Sequence, residues 1–337
     1  MPKVSIIIPV CNKEEYITAT LDYVLNQSFE DFEVIIVDDG STDKTPEIVK
    51  EYADKDNRFH VIHIPNAGVS HARNVGINHA KGEWIQFLDG DDLIDREYLS
   101  EAVKTVEECG ADILFTDFCM IDENRQCLKK IKSQEYGLID QSGLCRSFIE
   151  QQYRNGFFGY ISNKLFKITL LQKSNAKFNE QIKLAEDLDF YSQLYCAVEK
   201  ACFACIKSFY YLQTESNFLN NTSVDYLSQI KVHLDIRKWF IHSGKYEEYR
   251  DVLDRKVAEY VYFTLFHANE KKEDLKVYYE KIIDDPEITE CIDFTGFQGF
   301  EKKILKAVKQ NRYNKICRLF KERTAIRSIY RGIKGHE

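Results

Sequence analysis

Four short apolar segments near the start of the chain are each followed by polar residues that could bind a ligand. These residues are Asn12, Asp39, Asn66 with Gly68, and the run Asp89-Gly90-Asp91-Asp92. Carboxylates repel a phosphate group, but they can hold one through a divalent cation, and Mg²⁺ or Mn²⁺ favours such hard oxygen ligands. The glycine-rich signatures of phosphate-binding loops are missing. The chain has no G-x-G-x-x-G after the first apolar segment and no G-x-x-x-x-G-K-[ST] at any position. A cation-bridged site is therefore favoured over acidic turns that only cap the helices after them.

The elements that must position these residues alternate between strand and helix. Apolar runs predict strands at residues 4–10, 32–37, 61–64, 83–88 and 112–115, and helical spacing predicts helices at 14–26, 69–80 and 98–107. Such alternation is typical of an α/β fold, with a mostly parallel sheet covered by helices on both faces. Ligands bind these sheets beyond the carboxyl ends of the strands. The four polar clusters are therefore predicted to face one crevice.

The composition is that of an ordinary globular protein. Of 337 residues, 44% are hydrophobic and 30% charged, which argues against disorder. No apolar run approaches the roughly 18–20 residues that span a bilayer, and the apolar start is too short for a signal peptide, so a cytoplasmic location is predicted. The ten cysteines are scattered, and the Cys202-x-x-Cys205 pair is interpreted as plain buried thiols because no second pair with zinc spacing follows it.

The charge is distributed unevenly along the chain. Residues 301–337 carry 12 Lys/Arg against 3 Asp/Glu, about +9, although the whole chain has a formal net charge of −8. The acidic remainder argues against nucleic-acid binding. Apolar residues recur at helical spacing within this basic tail. They predict a helix that either lies on an anionic membrane surface or packs on the acidic body of the protein.

The region before this tail is predicted to be helical. Apolar residues repeat with a period near 3.6 from residue 224 to about residue 284. The many tyrosines and phenylalanines of this region are interpreted mainly as core, with an acceptor groove or a dimer face as the alternative for the rest.

Four motifs in the first half resemble the successive blocks of the family 2 glycosyltransferases. They are SIIIPVCN at residues 5–12, VDDGSTD at 37–43, NAGVSHARNVG at 66–76 and FLDGDD at 87–92. The resemblance spans about residues 3–120 and continues more loosely to about residue 215 through NKLF at 163–166 and AEDLDF at 185–190. It implies the GT-A fold, a Rossmann-like α/β domain with a mostly parallel sheet, followed here by a C-terminal helical region.

The resemblance also implies roles for individual residues. The enzyme would be an inverting transferase that uses a nucleotide-diphosphate sugar, most often a UDP-sugar. The nucleotide-sugar site would comprise Pro9, Val10 and Asn12 around the uridine, Asp39 on the uracil ring, Asn66 and Gly68 near the base, Arg73 near the phosphates, and Asp89 with Gly90 at the ribose or sugar. Asp91 would ligate Mn²⁺ or Mg²⁺, with Asp92 as a second metal or sugar contact. Cys11 departs from the family pattern, in which an aromatic residue is common.

The transfer also needs a base for the attacking hydroxyl. The resemblance assigns this role to Asp187, with Glu186 orienting it or contacting the acceptor. A position in the first turn of a helix would lower the pKa of Asp187. Asp189 projects to another side of that helix and is interpreted as structural. Lys164, in the NKLF motif, is interpreted as a surface cation, with a place along the acceptor side as the alternative.

These inferences combine into one predicted function. The enzyme would move a sugar from a UDP-sugar to a hydroxyl of a glycan or lipid-linked acceptor in bacterial cell-surface polysaccharide synthesis, with a divalent metal. The alternative is an inactive sugar-nucleotide-binding or scaffold protein. The predicted regions are residues 1–215 for the transferase domain, 216–300 for a helical region and 301–337 for the basic tail, which could place the protein at the inner face of the plasma membrane. The identities of the sugar and acceptor, and the oligomeric state, stay open.

Overall fold

The computed structural model describes residues 1–213 and 225–334, except for the side chains of residues 207, 208 and 325–334. The chain divides into two compact units, Met1–Ser223 and Val224–Glu337. No helix in the described ranges is both long enough and apolar enough to cross a membrane.

The first unit is built around one large sheet. Its strands are β1 (Val4–Val10), β2 (Phe32–Asp39), β3 (Phe59–Ile64), β4 (Trp84–Phe87), β5 (Leu93–Ile94), β6 (Ile113–Ile121), β7 (Cys127–Ile131), β8 (Gly137–Asp140), β9 (Lys164–Lys167) and β10 (Lys200–Leu212). Its helices are α1 (Ile17–Leu25), α2 (Thr45–Lys55), α3 (Val69–His79), α4 (Tyr98–Cys109), α5 (Gln141–Asn155), α6 (Thr169–Ser174) and α7 (Glu186–Tyr195), with a 3-10 turn at Phe157–Gly159.

The sheet confirms the α/β prediction, but it is more mixed than predicted. The strand order is β3-β2-β1-β4-β9-β6-β10-β5, with β7 on β6 and β8 on β10. Strands β1 to β4 pair in parallel, as do β6 and β10, whereas β9 lies antiparallel between β4 and β6. An apolar run predicts that a strand forms, but it carries no signal for the direction in which the strand enters the sheet.

The parallel strands bring their carboxyl ends to one edge. Val10 pairs with Asp38, Asp39 pairs with Ile64, and Ile7 pairs with Phe87 just before the Asp89 run. Strands β1 and β2 are buried along their whole length, as their continuous apolar sequences predict. The polar clusters after the strands therefore lie together at one end of the sheet.

Helix α3 packs closely on this part of the sheet. A Cβ atom at Gly76 would lie only 2.3 Å from Cγ2 of Ile7. The glycine is thus needed for the close approach that holds the buried Arg73, one turn earlier in α3, beside the carboxyl ends of β1 and β4.

One cysteine pair departs from the prediction of scattered thiols. Cys119 in β6 and Cys127 in β7 form a disulfide, with 6.2 Å between their Cα atoms. The two strands pair antiparallel, and Cys127 lies opposite Ile121, two residues from Cys119, which brings the two cysteines within bonding reach. Cys202 is a buried free thiol, as predicted, whereas Cys205 is exposed.

The second unit is helical in its described part. Its helices are α8 (Tyr226–His242), α9 (Tyr246–Glu270), α10 (Leu275–Ile283), α11 (Pro286–Cys291), α12 (Gly299–Lys309) and α13 (Tyr313–Lys334). Their apolar faces form one core that includes Ile230, Val261 and Leu265. The helical prediction for this region is thereby met from residue 226 onward, while its first residue, Val224, lies outside the described residues.

The basic tail contributes to this core. Its apolar residues Ile304, Leu305, Val308, Ile316 and Phe320 are buried in the core of the helical unit. The apolar side of α12 is therefore occupied within its own unit, and its lysines 302, 303, 306 and 309 are exposed.

Candidate functional site

A cavity of about 270 Å³ lies at the carboxyl ends of β1, β2 and β4. Its lining combines the predicted motifs with residues that no motif indicated: Pro9, Val10, Cys11, Lys13, Asp39, Val69, Ala72, Arg73, Asp89, Gly90, Asp91 and Tyr211. Seven of the predicted site residues thus share one cavity in the first unit.

The Asp39 carboxylate orders one wall of the cavity. Its two oxygens accept hydrogen bonds from the backbone amides of Ala67 (2.7 Å) and Gly68 (2.8 Å), and the Asn66 side chain donates to its backbone carbonyl (2.9 Å). Asn66 and Gly68 are therefore close to Asp39, as predicted, but they do not line the cavity. They hold the loop before α3 in place.

Asn12 also supports the cavity from outside its lining. Its side-chain oxygen accepts a hydrogen bond from the backbone amide of Thr42 at 2.8 Å, and its backbone amide donates to the Ser41 hydroxyl at 2.9 Å. The residue adopts a positive φ of 51°, which asparagine tolerates better than most side chains. The neighbouring Cys11 lines the cavity instead, and its sulfur accepts from Asn66 Nδ2 at 3.3 Å.

Gly90 lets the turn after β4 approach the end of β1. A Cβ atom at this position would lie 2.8 Å from Cγ1 of Val10. Because both residues line the cavity, a side chain here would narrow it.

Arg73 joins the two halves of the predicted site. Its side chain is only 3% exposed and donates to Asp187 Oδ1 (2.5 Å), Glu186 Oε1 (3.2 Å) and Asp89 Oδ1 (2.9 Å). Burial alone would lower the pKa of Arg73. The Asp187, Asp89 and Glu186 carboxylates outweigh this effect and raise the pKa above its ordinary value. The guanidinium is therefore permanently charged, and it fixes the predicted base beside the turn after β4.

Asp187 is a stronger base than its place in the sequence suggested. Removal from water raises its pKa to about 8, although Arg73 pulls it down, and the nearby Glu186 and Asp89 carboxylates raise it too. The expectation that the start of α7 would lower this pKa was wrong, because burial and like charges outweigh the helix dipole. Glu186 and Asp187 do not line the cavity, but the Asp187 side chain is 19% exposed beside it.

Lys13 was not recognised from the sequence. Its ammonium group lies 2.5 Å from Asp91 Oδ2, and both residues line the cavity. Burial lowers the pKa of Lys13, but Asp91 outweighs it and raises the pKa, so the lysine stays charged. Its place directly after Asn12, in a loop predicted to face the crevice, was the available signal.

The oxygen atoms needed for a divalent cation are present, although sparse. Mg²⁺ and Mn²⁺ sites commonly use one or two protein carboxylates together with substrate phosphates, and Asp89 and Asp91 supply two. Within the described ranges, no cluster of three or more His, Cys, Asp or Glu side chains could hold a metal. The donor set thus fits a cation shared with a diphosphate, provided that Lys13 releases Asp91.

The Asp92 side chain is buried and does not line the cavity. Asp92 accepts hydrogen bonds from the Ser162 hydroxyl (3.0 Å) and the Leu212 amide (3.2 Å), and burial raises its pKa well above the usual value. With both oxygens engaged and no place in the lining, it does not fit the predicted second metal contact.

Lys164 is not the surface cation that we expected. It is fully buried, donates to the Asn163 side chain at 2.7 Å and to the Tyr160 carbonyl, and lies 4.2 Å from the centre of the Tyr191 ring. Burial lowers its pKa well below the usual value, although the charge of Asp187 opposes this. Asp189, as predicted, has a structural environment, since it is buried and accepts from Gln193 at 3.0 Å.

Known proteins resemble this chain in sequence and in fold. The model of the family described as Glycosyl transferase family 2 matches residues 5–169. The uncharacterized glycosyltransferase EpsJ of Bacillus subtilis is 28% identical over 82% of this chain and 75% of its own length. The poly(ribitol-phosphate) beta-N-acetylglucosaminyltransferase TarS of Staphylococcus aureus is 32% identical over 63% of this chain and 35% of its own.

The fold agrees with these sequence matches. A crystal structure of S. aureus TarS residues 1–349 in complex with UDP-GlcNAc has a TM-score of 0.69 to this chain, at 22% identity, and covers 96% of this chain and 92% of that one. The motif order, the cavity at the carboxyl ends of the strands and the match over residues 5–169 lead to one conclusion: the chain carries a family 2 glycosyltransferase domain, and it is a glycosyltransferase with a GT-A fold.

Proposed function

We propose that this enzyme transfers the sugar of a UDP-sugar, with inversion, to a hydroxyl group of a glycan or lipid-linked acceptor in bacterial cell-surface polysaccharide synthesis. The observation that carries the proposal is the Arg73 bridge. It holds Asp187, a carboxylate with a raised pKa, beside Asp89 at the cavity where the donor would bind.

The donor would lie along the cavity with its two ends on different elements. Pro9, Val10 and Asp39, at the ends of β1 and β2, would surround the uridine. Asp89 and Asp91, after β4, would face the diphosphate and the sugar. The TarS complex, which has a similar fold, contains UDP-GlcNAc, and this supports a UDP-sugar as the donor class.

A divalent cation would be held by Asp91, with Asp89 as the second carboxylate. When bound, Mn²⁺ or Mg²⁺ would neutralise the negative charge that develops on the departing UDP. Lys13 now lies on Asp91, so its ammonium group would have to move as the cation enters. Asp92 is no longer proposed as a ligand.

The chemical step is a single displacement at the anomeric carbon. The acceptor oxygen forms a bond to this carbon while the bond between the carbon and the UDP oxygen breaks, and the acceptor proton passes to Asp187. A carboxylate with a pKa of about 8 accepts that proton more readily than an ordinary aspartate. Arg73 and Glu186 orient Asp187 for this transfer.

The decisive experiment measures UDP release from a panel of UDP-sugars. Each donor is tested with Mn²⁺, with Mg²⁺ and with a chelator, and with and without a mixture of candidate glycan acceptors. We expect metal-dependent release for one donor, faster with acceptor. Donor binding without release under any condition would support the alternative of an inactive sugar-nucleotide-binding protein. Absence of any donor binding would contradict both.

We also propose a contact of the second unit with the membrane that would not require insertion of an amphipathic helix. The apolar residues of α12 are buried, whereas Lys302, Lys303, Lys306 and Lys309 are exposed. A contact with anionic lipids through these lysines would be electrostatic, worth about 1 kcal/mol per basic residue near the surface. It would bring the enzyme to a lipid-linked acceptor. Failure of the full chain to bind anionic vesicles at low salt would reject this part of the proposal.

A further inference from the structure

Among the described residues that line the cavity, Tyr211 is the one that comes from the end of β10. It lies beside the Asp89 run in the lining, and its ring packs edge-on against Tyr160 with 5.6 Å between the ring centres. Neither residue belongs to a motif used to predict the site. The aromatic pair gives this end of the cavity a rigid wall.

Asp92 holds this wall in place. It accepts a hydrogen bond from the amide of Leu212, the residue directly after Tyr211, and another from the Ser162 hydroxyl. The run that supplies Asp89 and Asp91 to the cavity is therefore tied to the strand that supplies Tyr211. This contact gives Asp92 a positioning role in place of the metal role that its sequence suggested.

The Tyr211 hydroxyl is suited to donate a hydrogen bond. It is a phenol, which is protonated at neutral pH and has one O–H group to donate. A neutral donor among carboxylates matches a ligand that carries hydroxyl groups.

The location of Tyr211 favours a contact with the donor sugar over a contact with the uridine. The predicted uridine residues Pro9 and Asp39 lie at the ends of β1 and β2, whereas Tyr211 is close to Asp89. Arg73 bonds Asp89 and Asp187 together. The anomeric carbon of the donor must lie near the base, so the sugar belongs at the Asp89 end of the cavity.

We propose that Tyr211 forms one wall of the donor-sugar subsite and donates a hydrogen bond to a sugar hydroxyl, and that Asp92 positions it. This inference rests on the proposed UDP-sugar donor. It makes Tyr211 a specificity-determining residue, because its ring and hydroxyl would fit one arrangement of sugar hydroxyls better than another.

The test compares the affinity for UDP with that for the UDP-sugar that the wild type binds most tightly in the panel. Calorimetry in the presence of Mn²⁺ is performed on wild type, Tyr211→Phe and Tyr211→Ala. We expect the phenylalanine variant to bind the UDP-sugar about fivefold more weakly and the alanine variant at least about tenfold more weakly, as for a lost hydrogen bond and a lost wall. Affinity for UDP should change by less than about twofold.

Tyr210→Phe is the matched control. The neighbouring Tyr210 hydroxyl donates to Asp95 at 3.1 Å and does not line the cavity. This variant should bind both ligands like the wild type. Equal losses of affinity for UDP and the UDP-sugar in the Tyr211 variants would indicate a contact with the diphosphate and overturn the sugar assignment. Unchanged affinity for both ligands would overturn it as well.

The role of Asp92 is tested separately with two substitutions. Asp92→Asn keeps an oxygen for the Leu212 amide and should retain binding of the UDP-sugar and of Mn²⁺ with UDP. Asp92→Ala should weaken binding of the UDP-sugar as much as Tyr211→Ala does. The double variant should bind the UDP-sugar no more weakly than either single variant. Loss of Mn²⁺ binding in Asp92→Asn would overturn the positioning role. A wild type that binds no UDP-sugar would instead contradict the proposed function itself.

Discussion

The two units of this protein both bury apolar side chains, but they differ in the charged side chains that they bury. Among the described residues, all buried side chains with a formal charge lie in the first unit except Asp254, and they include Arg73, Asp91, Asp92 and Lys164. The core of the second unit is made of aliphatic and aromatic residues together with Cys291.

This contrast separates chemistry from stability. Removing a charge from water costs several kcal/mol unless it is paired, and the buried charges of the first unit have partners: Arg73 binds three carboxylates and Lys13 binds Asp91. Such pairs hold charged groups in fixed positions at the site but add little to the free energy of unfolding. Apolar burial in the second unit stabilises without directional requirements. Substitutions of the paired charges at the cavity should therefore affect turnover, whereas substitutions in the apolar core of the second unit should affect only folding.

The largest effect should come from Asp187→Asn. Without a base, transfer should fall by about 10³-fold in kcat, while donor affinity is kept, because the amide is similar in shape but cannot take the proton. Steady-state kinetics and donor calorimetry measure the two effects. Asp189→Asn, two residues along α7, is the control and should change kcat by less than about threefold. Full transfer by the Asp187 variant would show that the base lies elsewhere.

Arg73→Met should destabilise the first unit as well as impair transfer. It leaves Asp187, Glu186 and Asp89 without their cation, at a cost of about 3 kcal/mol, the lower end of the range for breaking buried ion pairs because these carboxylates are partly exposed. Denaturant unfolding above pH 8, where Asp187 is ionised, measures the loss.

Arg237→Met is the counterpart in the second unit. Asp254, its partner, keeps hydrogen bonds from the Tyr246 hydroxyl, so we expect a loss of only about 1 kcal/mol. Equal losses in the Arg73 and Arg237 variants would break the contrast between the units.

Leu305→Ala should destabilise the second unit without touching the site. The side chain is fully buried in the helical core, so the expected loss is about 3 kcal/mol. Val277→Ala, at an exposed position of α10, should change stability by less than about 0.5 kcal/mol. Both variants should keep the wild-type KM for the donor at a temperature where they are folded. A raised KM in Leu305→Ala alone would link the helical core to the site.

The pH dependence sharpens the account of the first unit. The pKa of Asp187 is raised to about 8, so below this pH the protonated form dominates and cannot act as a base. We expect kcat/KM to fall as the pH falls through about 8, by up to tenfold per pH unit, with donor and metal concentrations held fixed. A limb near the ordinary value of 3.8 would mean that Asp187 does not control the rate.

The smallest effect concerns the exposed lysines of α12. Reversing two charges with Lys302→Glu and Lys303→Glu should weaken binding to anionic vesicles by about tenfold at low salt. The matched control is Lys50→Glu with Lys104→Glu, which changes the net charge equally at exposed positions of the first unit. Equal weakening by both pairs would indicate an effect of net charge and not a lysine surface on the second unit.

Much of the fold and half of the site were readable from the sequence. The strand ends that carry Pro9, Asp39 and Asp89 were predicted to meet because parallel strands end at one edge, and they line one cavity. Lys164 was misinterpreted because a lone lysine gives no sign of burial, and Asp92 because an acidic run does not tell which carboxylates face the ligand.

The sequence by itself determined the family, the alternation of strands and helices, and which strand ends carry polar groups, because these depend on local patterns. Only the tertiary structure decided which charges meet. Arg73 and Asp187 are 114 residues apart, and Lys13 and Asp91 are 78 apart. The first contact follows from where α7 packs, with the Phe190 ring against Phe87 of β4, and the second from the parallel pairing of β1 with β4. The pKa of Asp187 follows from the first contact. The aromatic wall at Tyr211 likewise exists only because β10 ends beside the turn that carries Asp92.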